Sequence, residues 1–307
     1  MRFDGVYFER YRPEQGSFVS VSVRSLLATP DGGLWIGYAN GGASFLNRGR
    51  VHNYDENDGM PIGGIRNFAE DADGTIWAAA VGGLARFDGH RWRFVNKNWN
   101  PWRMPIMSPS TVAADAIGNL WICGWNEGVF VLPRGEDQFK KVAPGPVPFD
   151  VRTFVDLGDG VMRLWVMRML SMLRFPTRAW GAKRPPANFT NSAGEFLVDR
   201  DGSGWMATEG NIWRVPDVER LQGRVSPNDP SLEKFTPAEG LTSGDIEAIM
   251  EDREGSVWIA TTGGLDRFRP RNAVSTTLQR SDSGIDLVAG KFSGNSEGLP
   301  DRQAGAG

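Results

Sequence analysis

The sequence predicts an all-β fold, a β-propeller of four-stranded antiparallel blades, on three observations. A tryptophan recurs in one frame, a tight-turn signature precedes each copy, and a glycine turn follows most of them. The tryptophans are Trp35, Trp77, Trp121, Trp165, Trp205 and Trp258, separated by 42, 44, 44, 40 and 53 residues. A period of about 40–45 residues is that of a propeller blade. Leucine-rich horseshoes use shorter units, and a helical solenoid needs a 3.6-residue apolar period, which is absent.

Each unit reads as four strands. The turn ahead of the tryptophan is TPDGGLW, DADGTIW, DAIGNLW, DRDGSGW or DREGSVW, and the fourth copy, DLGDGVMRLW, carries three extra residues there. Six places before the tryptophan stand Asp71, Asp115, Asp199 and Asp252, with Thr29 in the first copy. Asp-x-x-Gly closes a hairpin because the carboxylate accepts backbone N–H groups while glycine takes a positive φ. The tryptophan lies on the second strand. A glycine turn then leads into a third, alternating strand, as in GGASFL, GGLARF, EGVFVL and GGLDRF. NRGRVHNYD and FDGHRWRFV supply fourth strands. The large indole is expected to be buried between neighbouring blades. Six repeats are recognisable, a count that fits a six-bladed ring or an incomplete seven-bladed one. The aspartates are turn formers, since the glycine at place six and glutamate at place twelve of a calcium-binding EF-hand loop do not fit.

Residues 1–290 read as a single propeller domain and 291–307 as a disordered polar tail. RFDGVYFERYRP aligns with the end of a unit, so residues 1–12 are expected to form an outer strand. Phe3 to Tyr11 would pair with the third strand near Gly264 to Arg269. SGIDLVAGKFSGN reads as a first strand that stops before its tryptophan. The chain is thus expected to be a fragment or truncated product that begins and ends inside blades.

Thirty-nine glycines and twelve tryptophans in 307 residues suit many short strands packed in layers. A net charge of −3 gives no electrostatic case for nucleic acid or an anionic membrane. Cys123, the single cysteine, excludes an internal disulfide and reads as a small packed residue. The N-terminus lacks the apolar core of a signal peptide. The most apolar stretch, Val161 to Phe175, is too short to span a bilayer and carries Arg163, Arg168 and Arg174. No membrane insertion, metal site or cofactor is expected.

At these motifs the sequence resembles the two-component regulator propeller repeat. EDREGSVWIATTGGLDRF (Glu251 to Phe268), its lead-in GLTSGDIEAI and EDADGTIWAAAVGGLARFDG match that pattern most fully, while the fourth copy has lost its glycine pair at MRMLSMLRF. The resemblance covers residues 1 to about 270. It implies the extracytoplasmic or periplasmic sensing part of a membrane-bound histidine kinase, hybrid kinase or diguanylate cyclase. Some members of the family recognise oligosaccharides. Its implied partner is a histidine kinase or other signalling output module in a longer homologue. His52 and His90 lack the context of a phospho-accepting histidine.

Propeller ligands meet the loops of one face, where connections between second and third strands and between successive blades gather. The longest aromatic-rich connection, NKNWNPWRMPIMSP, holds Trp99, Trp102 and Arg103, and a neighbouring turn holds Trp125 and Asn126. Phe149 and Arg152 precede the fourth blade's first strand. Flat rings with amide and guanidinium donors suit sugar faces and hydroxyls, and arginine suits a carboxylate. The insertion Pro216 to Lys234 falls on the opposite face and reads as loop decoration. No catalytic constellation is visible.

Three functions remain open. The first is a non-catalytic ligand-sensing propeller that binds an oligosaccharide or similar small molecule. The second is a lyase resembling the streptogramin lyases, which share an Asp-Gly-x-Ile-Trp core but depend on histidine chemistry. Here His52 and His90 are expected on outer strands. The third is a protein–protein interaction platform.

Overall fold

The computed structural model describes residues 2–3, 8–9, 11–95, 109–124, 127–144, 151–166, 171–176, 196–208, 210–220, 223–224, 229–269, 273–281 and 284–292. Two short strands, β1 (Arg2–Phe3) and β2 (Phe8–Glu9), precede the first blade. Blade one is β3 (Val23–Ala28), β4 (Leu34–Tyr38), β5 (Ala43–Asn47) and β6 (Arg50–Tyr54). Blade two is β7 (Ile65–Glu70), β8 (Ile76–Ala80), β9 (Gly83–Phe87) and β10 (Trp92–Phe94). Blade three is β11 (Pro109–Ala114), β12 (Leu120–Gly124), β13 (Gly128–Leu132) and β14 (Lys140–Pro144). Blade four begins with β15 (Val151–Asp156), β16 (Val161–Val166) and β17 (Ser171–Pro176).

Blade five holds β18 (Phe196–Val198), β19 (Gly204–Thr208) and β20 (Asn211–Val215). The segment after it contributes β21 (Gly223–Arg224) and β22 (Glu233–Phe235). Blade six is β23 (Ile246–Glu251), β24 (Val257–Thr261) and β25 (Gly264–Phe268). A long hairpin, β26 (Ala273–Ser281) with β27 (Gly284–Phe292), follows. Every sheet is antiparallel, and all but the outer edges of blades four and five follow chain order, so the expected fold, six mainly four-stranded blades around an axis, is the one observed.

Successive first strands lie side by side, which makes them the inner wall. Side chains tie that wall together. Ser25 Oγ donates to the Ile65 carbonyl (3.1 Å), and Asn67 both donates to the Val112 carbonyl (2.7 Å) and accepts from its N–H (3.0 Å).

The aspartate of the repeat does more than close its turn. In blade three Asp115 Oδ1 accepts the N–H groups of Ile117 (3.1 Å) and Asn119 (2.8 Å), while Oδ2 accepts the Trp121 indole N–H (2.7 Å). Gly118, at φ 91°, makes the turn possible. The same indole bond forms from Trp77 to Asp71, Trp205 to Asp199 and Trp258 to Asp252, at 2.7–2.8 Å. Asp and Trp six residues apart are therefore one device. It fixes the turn and satisfies the one polar atom of a ring that must be buried. Blade four breaks it. Asp159, six residues before Trp165, is occupied by Arg163, and the buried Trp165 indole N–H has no partner. Stacking on Phe196 (4.8 Å between centroids, 18°) holds that ring instead.

The cores lie between blades. Leu27 and Trp35 of blade one pack on Phe68, Ile76 and Trp92 of blade two, and analogous clusters join blades two to three, three to four, four to five and five to six. Burying a tryptophan removes roughly 200 Å² from water, worth on the order of 5 kcal/mol as an upper bound. Five of the six repeat tryptophans are at most 5% exposed. Trp258 departs from the expectation of burial: it is only partly buried, because no described sheet packs beyond blade six.

Two further expectations are corrected. Among the described residues β1 pairs with β2 and β25 with β24, and no pairing of β1 or β2 with β25 is found. Closing a short loop costs less than a distant pairing. The insertion from Pro216 to Lys234 is more than decoration. Its β21 pairs with β17, Ser171 with Arg224 and Met172 with Gly223, and so supplies the fourth strand of blade four. Val218 of the same insertion is buried with Trp165 and Phe196. Glu219 forms ion pairs with Arg163 and, at 3.0 Å, with Arg174. The expected tail lies outside the described residues from 293 onward, whereas 291–292 belong to β27.

Candidate ligand-binding site

Trp99, Trp102, Arg103, Trp125, Asn126 and Phe149 lie outside the described residues, and Arg152 is described only through its backbone on β15. The strands that bracket them are described. In blade three Pro109 pairs with Gly124, Gly124 with Gly128, and Gly128 with Pro144. These four residues form one row across the end of the sheet. The connection 96–108 arrives at this row, 125–127 joins its second and third strands, and 145–150 leaves it for Val151. All three aromatic-bearing connections therefore meet the same edge of blade three or the adjacent start of blade four.

At that end the first strands carry a shared irregularity. The pairing register shifts between Val23 and Ser25, Ile65 and Asn67, Pro109 and Thr111, Val151 and Thr153, and Ile246 and Ala248. The extra residues are Arg24, Arg66, Ser110, Arg152 and Glu247. A bulge bends its strand and re-aims the side chain it carries, and bulges concentrate beside binding sites. Arg152 was singled out in the sequence, whereas Arg24 and Arg66 share its place and were missed. The signal was present in VRS, IRN and VRT at the start of three units.

Behind the row, Ser110 Oγ donates to the Cys123 carbonyl (2.9 Å). Burial pushes the Cys123 thiol up to about 12, against the Ser110 bond and with the Glu127 charge adding to the rise. At neutral pH it is a packed thiol and not a nucleophile, as its place on β12 suggests.

A cleft of about 400 Å³ opens on the outer strands of blade two, between Arg86, Asp88, Arg93, Phe94 and Val95. Arg86 and Arg93 are cross-strand partners. Asp88 accepts the Arg91 N–H (2.9 Å), Arg93 Nε (2.7 Å) and the His90 N–H (3.0 Å), which hold its carboxyl well below the usual range. The Phe94 ring is exposed. Val95 is the last described residue before the connection that bears Trp99 and Trp102. Two guanidinium groups beside an exposed ring suit an anionic or polyhydroxylated ligand. His52 lies on β6, while His90 sits in the turn before β10 and not on the strand itself.

The sheets define a repeat propeller of mainly four-stranded blades. Residues 240–263 match the family described as "Two component regulator propeller". That match covers one repeat, the lead-in, turn and tryptophan strand of blade six. No curated protein matches the sequence.

Among solved structures the chain is similar to the extracellular domain of the putative one component system BT4673 from B. thetaiotaomicron, at 19% identity and a TM-score of 0.59. The match covers 85% of this chain and 36% of that one. A streptogramin B lyase is similar at 12% identity and a TM-score of 0.57, with 92% and 86% covered. PorZ, a surface component of the type-IX secretion system of Porphyromonas gingivalis, is similar at 16% and 0.54, with 79% and 40% covered. At these identities the likeness is one of fold. The chain spans about a third of the length of the BT4673 domain. Among the described residues no helix is long and apolar enough to cross a membrane.

Proposed function

We propose that this propeller is a non-catalytic, extracytoplasmic sensing module of a two-component-type signalling protein. It binds an oligosaccharide or similar small molecule and passes the bound state to a kinase or other output module. The observation that carries this reading is the row Pro109–Gly124–Gly128–Pro144, to which three connections bearing Trp99, Trp102, Arg103, Trp125, Asn126 and Phe149 are tied. Arg152 at the next bulge and the Arg86–Arg93 cleft extend the same binding chemistry. Uronate-containing glycans fit best, since rings stack on sugar faces and guanidinium groups pair with carboxylates.

A glycan array followed by calorimetry tests it. Replacing Trp99 and Trp102 together by Ala is expected to weaken binding at least tenfold and leave the melting temperature within about 2 °C, as for surface substitutions. Binding that survives the double variant refutes this face. Consumption of a ligand that is lost in His90→Ala would instead establish the lyase reading.

A further inference from the structure

The bulge residues of the first strands lie at the rim of the inner wall, on the end where the blade-to-blade connections arrive. Arg24 and Arg66 hold adjoining places there. Ser25, next to Arg24, donates its Oγ to the carbonyl of Ile65, next to Arg66, at 3.1 Å, and the strands that carry them run side by side. Asn67, which follows Arg66, is tied in turn to Val112, so Ser110 holds the next place round the rim. Arg152 has the same register position in blade four, and the exposed Glu247 has it in blade six. The rim over blades one and two is thus cationic in a chain whose net charge is −3. Arginines elsewhere serve the fold: Arg163 and Arg174 hold Glu219, Arg200 holds Glu251 and Arg214 holds Glu233. Arg24 does not. It is exposed and enters no ion pair among the described residues.

We infer that Arg24 and Arg66 form a carboxylate-reading subsite at this rim, which sets the acidic sugar of a bound glycan over blades one and two. The inference rests on the reading of this end as a glycan site and adds the direction in which the ligand lies. Two permanently charged side chains at adjoining places raise the local positive potential, and an anionic group relieves it. A guanidinium fork meets a carboxylate in two parallel charge-assisted hydrogen bonds, which a neutral ester cannot return. A carboxylate over blade six would instead meet the like charge of Glu247. The rim therefore distinguishes its two sides. Blade three, whose connections bear Trp99, Trp102 and Trp125, packs directly on blade two. An oligosaccharide with its acidic residue at Arg24 and Arg66 runs from there toward blade three, where neutral rings stack.

Calorimetry on the full chain with trigalacturonate and with its fully methyl-esterified form, at low and high salt, tests this. The wild type is expected to bind the acid at least tenfold more tightly than the ester, by a margin that shrinks as salt rises. Arg24→Gln and Arg66→Gln are each expected to weaken binding of the acid at least tenfold and of the ester less than twofold. Arg66 is half-buried, so if its variant fails to fold the exposed Arg24 decides alone. Two results would overturn the inference and leave the glycan reading standing. One is equal binding of acid and ester by the wild type. The other is an equal loss for both forms in Arg24→Gln. Binding of neither form would overturn the inference together with the uronate reading beneath it.

Discussion

Replacing Asp115 by Ala should destabilise the propeller far more than the same change at Asp252, although both residues hold the same place in the repeat. Asp115 is buried and accepts four hydrogen bonds, from the N–H groups of Ile117 and Asn119, the Asn119 amide (2.8 Å) and the Trp121 indole (2.7 Å). Trp121 and Asn119 are themselves fully buried, so their donors find no water when the carboxylate goes. The two side-chain donors among them cost about 2–6 kcal/mol at roughly 1–3 each. Relief of the buried carboxylate's own desolvation offsets part of that. A net loss of about 3 kcal/mol is expected. At Asp252 the acceptor and Trp258 are both partly exposed, water replaces the lost bonds, and about 1 kcal/mol is expected. Urea unfolding followed by tryptophan fluorescence measures both. If Asp115→Ala costs no more than Asp252→Ala, the indole–carboxylate pair is not what holds the inter-blade tryptophan.

Arg163 is 1% exposed and held between Asp159 and Glu219, so Arg163→Ala is expected to cost about 3 kcal/mol, most of it from freeing the β21 strand. Proteolysis should then nick the chain near Glu219 before it unfolds globally; global unfolding without that nick would speak against the strap. The two repeat aspartates should also titrate in opposite senses. Burial, opposed by the Trp121 and Asn119 bonds, raises Asp115 above 3.8, whereas at Asp252 burial is overcome by the Trp258 bond and its companions and the value is lowered. As pH falls, a penalty at Asp115 is relieved from its raised folded value down to 3.8. Stability contributed by Asp252 is fully present above 3.8 and is lost as pH falls through its lowered folded value. Carboxyl NMR titration reads both midpoints, and the reverse order would refute this account.

The blades were legible because each unit repeats a tryptophan, a turn and a glycine step whose meaning is local. The indole–carboxylate bond was encoded in the constant six-residue spacing, yet turn chemistry alone explains the aspartate and hides its second oxygen. Partial exposure of Trp258 could not be read from its motif, the fullest in the chain, because burial depends on what lies in the next layer. β21 was missed for a similar reason: two residues that pair with a strand about fifty positions earlier leave no periodic trace. Around the site, the aromatic-bearing connections were visible where the strand pattern stops. Arg24 and Arg66 were not, since a bulge is a property of pairing register and not of residue type.

The strand that crosses from blade five to blade four changes what counts as a unit of this protein. In a simple repeat array each module contacts only its neighbours and could be deleted, duplicated or exchanged whole. Here blade four is completed only after the third strand of blade five has been synthesised, so the two emerge from translation as one double module running from Val151 to Phe235. Recombination that cuts between them would strand an open edge on one side and an unpaired segment on the other. Gain or loss of blades in relatives with this crossing is therefore restricted to the remaining junctions, or must take the pair together.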